Sequence, residues 1–160
     1  MLLADTQTLV SWRARPRSFV ALMGLYESNH IRLGWLAGDL RALSGRYVSS
    51  VRGDCDLVLT VTARSPYTST LTLTYLLPGE RGPQSCPDLR VRVYHDAHLV
   101  EAQQWAGAHA MPLLRRLGGC AERELDQRWA RNMMLNKWLE YCAERGHRFS
   151  SRSTEHGTGA

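Results

Sequence analysis

The sequence predicts an α+β fold: a single antiparallel β-meander of about five strands, with N-terminal and C-terminal helices packed on one face. Three observations predict it. Apolar residues recur at helical spacing before residue 40 and again after residue 120. Between residues 46 and 105 the rhythm changes to strict alternation. Three of the four joints between alternating runs are short, which only antiparallel neighbours permit.

The first helix is expected from a Ser18 cap to about Ala37. Leu22, Tyr26, Leu33, Leu36, Ala37 and Leu40 form its apolar stripe, and Asn29 lies on the same stripe. Gly34 and Gly38 weaken it, so a kink or an end is expected before Gly45. Strands follow over 47–51, 55–63, 68–76, 89–94 and 99–105. Gly53-Asp54, Ser65-Pro66 and His95-Asp96-Ala97 supply turns, and the proline-rich stretch 77–88 reads as a loop. Residues 107–119, with Pro112 and a Gly-Gly pair, read as an irregular crossing. A final helix is expected from about Cys120 to Arg145, with Leu135, Trp138, Leu139 and Cys142 on its buried face and Gly146 ending it. Arg128 and Asn132 interrupt that face upstream.

The length of 160 residues and 44% apolar content suit one domain with a real core. The expected organisation is a flexible basic arm over 1–17, a single domain over 18–149 and a disordered tail over 150–160. The formal charge is +5, of which the arm carries +2 and residues 147–160 carry +1. A nucleic-acid domain concentrates its charge on a face instead. No run of about 18–20 apolar residues is present to span a bilayer, and no secretory signal is read at the N-terminus. The four scattered cysteines then read as reduced thiols in a cytoplasmic protein.

The chemistry-bearing residues are sparse. Alternation predicts a polar sheet face of Thr60, Thr62, Thr70, Thr72, Thr74, Arg90, Arg92 and Tyr94, where two arginines beside a tyrosine suit an anion. Tyr94-His95-Asp96 offers a proton donor, a base and an orienting carboxylate, yet adjacent strand residues point to opposite faces. The simpler account is a turn, with Asp96 accepting backbone N–H bonds and His95 bonded to a carbonyl. His95 and His98, with His109, Asp96 or Glu101, lack an assigned third ligand, so no metal and no cofactor is expected. Asn29 and Asn132 on apolar stripes predict a buried polar bridge, and with Glu27, Tyr67, Arg92 and Glu101 a small crevice between helices and sheet.

Four segments in register carry a resemblance: Leu25-Tyr-Glu-Ser-Asn29, Tyr67-Thr-Ser-Thr-Leu-Thr-Leu-Thr-Tyr75, Arg92-Val-Tyr-His-Asp-Ala97 with Glu101, and Asn132-Met-Met-Leu-Asn-Lys-Trp-Leu-Glu-Tyr-Cys142 with Gly146. Across about residues 20–148 the chain resembles the bacterial YqiB-like family, domain of unknown function 1249. The resemblance implies a small cytoplasmic bacterial protein with no established activity. Gly38 departs from the family pattern, which tends to proline there, and Gln127 stands where an acidic residue is usual.

The expected function is therefore a non-enzymatic protein that binds a protein partner or a small anionic ligand, through Arg92, Tyr94, His95, Tyr67 and Asn29. The alternative is a small hydrolase or transferase using His95 and Asp96 with Glu27 and Glu101. A second alternative is RNA binding through Arg90, Arg92, Tyr94 and the basic arm. No membrane partner is expected, and the oligomeric state is open.

Overall fold

A computed structural model describes residues 18–105 and 121–150. The expected arm, the crossing over 107–119 and the tail beyond Ser150 lie outside these residues, as do His109 and Cys120.

Helix α1 spans Phe19–Ala37 and begins where expected, with the Ser18 hydroxyl accepting the Ala21 N–H at 3.1 Å. It ends at Gly38, whose φ of +67° and ψ of −127° suit glycine alone and whose N–H donates to the Gly34 carbonyl. A short 3-10 turn, Leu40–Ala42, leads into the sheet.

The strands are β1 (Arg46–Ser49), β2 (Asp56–Arg64), β3 (Thr68–Leu77), β4 (Gln84–Tyr94) and β5 (Leu99–Trp105). They form one antiparallel sheet in sequence order. Helix α2, Ala121–Arg145, follows, and Gly146 at φ +90° stops it.

The proline-rich stretch is not loop to residue 88, because β4 already starts at Gln84. Pro87 lies where the β3–β4 register shifts, between the pairs Leu76–Ser85 and Thr74–Asp88. A bulge is where a strand tolerates a residue without an N–H, so the proline marks irregular pairing rather than its absence.

The core lies between the sheet and the two helices. Leu57, Leu59, Leu71, Leu73, Leu89, Val91, Val93 and Val100 come from the sheet, and Leu33, Leu36, Leu135, Leu139 and Cys142 from the helices. Each of these aliphatic side chains contributes about 1.5–3 kcal/mol by leaving water. The opposite sheet face is more covered than alternation alone predicts. Thr62 and Arg90 are exposed, but Val58 and Thr74 are buried, and the Thr74 hydroxyl donates to Asp88 at 2.7 Å. No helix among the described residues is long and apolar enough to cross a membrane.

Candidate functional site

A cavity of about 470 Å³ opens between the first turns of α1, the first turns of α2 and the β4–β5 hairpin. Helical spacing puts Phe19, Leu22, Met23 and Tyr26 of α1 on its wall. The hairpin adds Tyr94, Ala97, Leu99 and Glu101, and α2 adds Glu124, Leu125 and Arg128. The walls are apolar except where the two tyrosines, the two glutamates and Arg128 meet.

Glu101 is the centre of that polar end. Tyr26 Oη donates to its Oε1 at 3.3 Å and Tyr94 Oη to its Oε2 at 2.8 Å. Arg128 Nη1 stands 3.6 Å from Oε1, while Arg128 Nη2 and Nε hold Glu124 Oε1 at 2.7 and 3.2 Å. Burial, reinforced by Glu101, raises the pKa of both tyrosines. The hydrogen-bonded Glu124 raises that of Arg128. Two further guanidinium groups act on the cluster. Arg92 pairs across the strands with Glu101 and interacts with the Tyr94 hydroxyl. Arg131 is half-buried and interacts electrostatically with Arg128, Tyr26, Glu101 and Glu124. The Nε atoms of Arg92 and Arg131 are buried without a hydrogen-bond partner.

The sequence-predicted site residues divide between three settings. Tyr94 and Glu101 line the cavity, and Arg92 lies behind them as the cross-strand neighbour of Glu101, outside the lining. His95 and Asp96 leave the same strand end in other directions: the buried His95 ring has Nε2 2.8 Å from Ser69 Oγ, while Asp96 is exposed and pairs with Arg41. The turn therefore holds, but its side-chain partners are a serine hydroxyl and an arginine rather than the carbonyl and backbone N–H groups expected. Burial lowers the His95 pKa, and Arg41 lowers it further. Tyr67 is 66% exposed and meets His95 only through its carbonyl, which accepts the His95 N–H.

Glu27 is exposed and acts electrostatically on His30, whose ring makes an edge contact with that of His98 at 5.3 Å between centroids. His98 holds a φ of +53°, uncommon for a residue with a side chain. His95 and His98 thus face different partners, and no group of three or more His, Cys, Asp or Glu side chains among the described residues is arranged to hold a metal ion.

Asn29 belongs to a fully buried amide network. Its Nδ2 donates to the Val100 carbonyl at 3.3 Å and to Asn132 Oδ1 at 3.2 Å, and Asn136 Nδ2 donates to Asn29 Oδ1 at 3.1 Å. The predicted bridge thus joins helix to helix and helix to strand at once.

Sequence reasoning passed over two features. Tyr26 reads as core and Arg128 as an interruption of a stripe; that interruption was the one visible sign of the cavity. The second is a buried relay. Ser49 Oγ lies 3.0 Å from His147 Nδ1, and His147 Nε2 lies 2.9 Å from Asp54 Oδ2, which also accepts from Tyr75 Oη at 3.2 Å. Since the carboxylate can only accept, Nε2–H donates to it, and in the neutral ring Nδ1 accepts the Ser49 hydroxyl. Burial alone would raise the Asp54 pKa, but the bonds from His147, the Cys55 N–H and Tyr75 hold it low. Ser49 also accepts the Arg148 N–H and is only 5% exposed, so the relay pins the chain after α2 to β1.

A family model described as "Protein of unknown function (DUF1249)" matches residues 32–148. Comparison with curated proteins and with solved structures finds no match.

Proposed function

The chain belongs to the DUF1249 family of unknown function, and we propose that it is a non-enzymatic binding protein for a small amphipathic ligand seated in the α1–α2–hairpin cavity. One observation carries the reading: a cavity of about 470 Å³ with apolar walls and a single convergent polar end, the usual composition of a small-molecule site. Leu22, Met23, Leu99 and Leu125 would hold an apolar body, and the polar end would orient its head.

Binding rather than catalysis is supported by the state of the polar groups. Glu101 already accepts from two hydroxyls, and both tyrosines have raised pKa values, so at the centre of the polar end Glu101 is not a free base and neither tyrosine is an activated nucleophile. We read the setting as a bacterial cytoplasm, a reading supported by the free thiols of Cys55 and Cys142.

The test is a titration with 1-octanol, read by NMR at the methyl groups of Met23 and Leu125. Saturable shifts at both, lost in Ala97→Trp, which fills the cavity from the hairpin side, support the reading. Absence of saturable shifts, or their survival in Ala97→Trp, would refute it.

A further inference from the structure

We infer that ligand binding in the cavity is regulated by protons: the His30–His98 contact holds α1 against the β4–β5 hairpin while both rings are neutral, and loosens that wall when they are charged. This regulation presupposes that the cavity is a ligand site, and adds what opens and closes it.

The two rings meet edge to face, 5.3 Å between centroids, one from α1 and the other from the hairpin turn. The same two elements form two walls of the cavity. Ala97 and Leu99, the chain neighbours of His98, line it, as does Tyr26, about one helical turn before His30. Tyr26 also reaches across this junction to Glu101 of β5. Whatever drives the rings apart therefore drives the walls apart.

Charge decides when that happens. His30 is faced by His98 and the buried His95 from the hairpin, and by Glu27 from its own helix. His95 is faced in turn by Arg41, Asp39, Asp96 and Arg64. The groups acting on His30 are thus two imidazoles and one carboxylate, and that carboxylate is exposed, where water and salt screen it. Neutral rings tolerate this contact, whereas two imidazolium rings repel. Burial and the neighbouring imidazoles keep the closed wall's His30 neutral, so acidification below about 6.5 moves the population toward the loosened wall.

The hairpin tip is the part that yields. His98 holds a φ of +53°, and its N–H donates to the His95 carbonyl over a long 3.4 Å. A residue with a side chain keeps such a backbone only while its surroundings hold it there.

The experiment is calorimetric titration of the full chain with 1-octanol at pH 7.5 and pH 5.5. Kd should rise about fivefold on acidification, the size of one repelling pair about 5 Å apart close to water. His30→Gln keeps the helix, and His98→Asn keeps a residue that accepts the left-handed turn. Each should bind 1-octanol as the parent does at pH 7.5 and keep that affinity at pH 5.5. Binding and protonation must oppose each other equally, so saturating 1-octanol should lower the NMR titration midpoint of the His30 ring by about 0.7 pH units.

A Kd that does not rise on acidification overturns the inference, as does a rise that survives either variant or a His30 midpoint that 1-octanol leaves in place. Those results leave the cavity reading standing. Absence of 1-octanol binding at pH 7.5 removes both.

Discussion

Asn132 pairs with Ala102 as a neighbouring strand would, its Oδ1 accepting the Ala102 N–H at 2.7 Å and its Nδ2 reaching the Ala102 carbonyl at 3.4 Å. β5 is the last strand of the sheet among the described residues, and every second residue of such a strand turns its backbone groups away from its partner. The helices supply what a sixth strand would have supplied.

Asn132→Ala should therefore cost about 3 kcal/mol, since it leaves the buried Ala102 N–H and one Asn29 donor without acceptors. Urea denaturation measures this. A loss below about 0.5 kcal/mol would show that water satisfies the edge instead.

Gly38→Pro should destabilise the protein by about 3 kcal/mol or more. Proline cannot reach the φ of +67° found there and lacks the N–H that Gly34 accepts. A variant with an unchanged thermal midpoint would refute this account of the α1 terminus.

Stability should decline as pH falls below about 6.5. Burial holds His30 and His95 below the ordinary histidine value, helped at His30 by His98 and His95 and at His95 by Arg41. The native rings stay neutral while the unfolded chain gains protons, so their contribution is complete above the unfolded value and shrinks toward the native values. Urea midpoints between pH 7.5 and 5.5 test this, and His30→Gln should flatten the slope. A midpoint that rises on acidification would contradict it.

A second, more acidic loss belongs to Asp54, whose pKa is held below its ordinary value of 3.8. Its stabilisation is present above that value and disappears as pH falls through the native one. Asp54→Asn should cost about 2 kcal/mol at pH 7 and nearly nothing once the carboxyl is protonated in both states. Parallel pH profiles for the two proteins would exclude the relay as the cause.

The Cys142 thiol is fully buried and, with its pKa pushed up to about 11 by burial, should resist alkylation. At pH 8 only about one molecule in a thousand is thiolate. Iodoacetamide followed by peptide mass spectrometry should label Cys142 only in denaturant, and rapid labelling of the native chain would refute the buried geometry.

The strand ladder and helix faces were legible because they repeat locally: Leu57-x-Leu59 and Leu135-x-x-Trp138-Leu139 announce their periods within a few residues. Asn29 and Asn132 were legible as a bridge because an amide on an apolar stripe demands a partner. The cavity was not, since Tyr26, Tyr94, Glu101 and Arg128 come from four elements and converge only once the helices cross the sheet edge. Nor was the Ser49–His147 bond, whose partners stand 98 residues apart in the chain. Pro87 misled because a lone proline signals loop unless a bulge is already known to accommodate it.

The carboxamides along β5 also determine how this protein would fail. While Asn29 and Asn132 occupy the Val100 carbonyl and both backbone groups of Ala102, another chain cannot pair with the rim at those residues. If α1 and α2 lift away, the rim is uncovered with the ladder behind it still intact, ready to template a strand from a second molecule. Damage to the helix layer should therefore appear as polymerisation before the sheet itself melts.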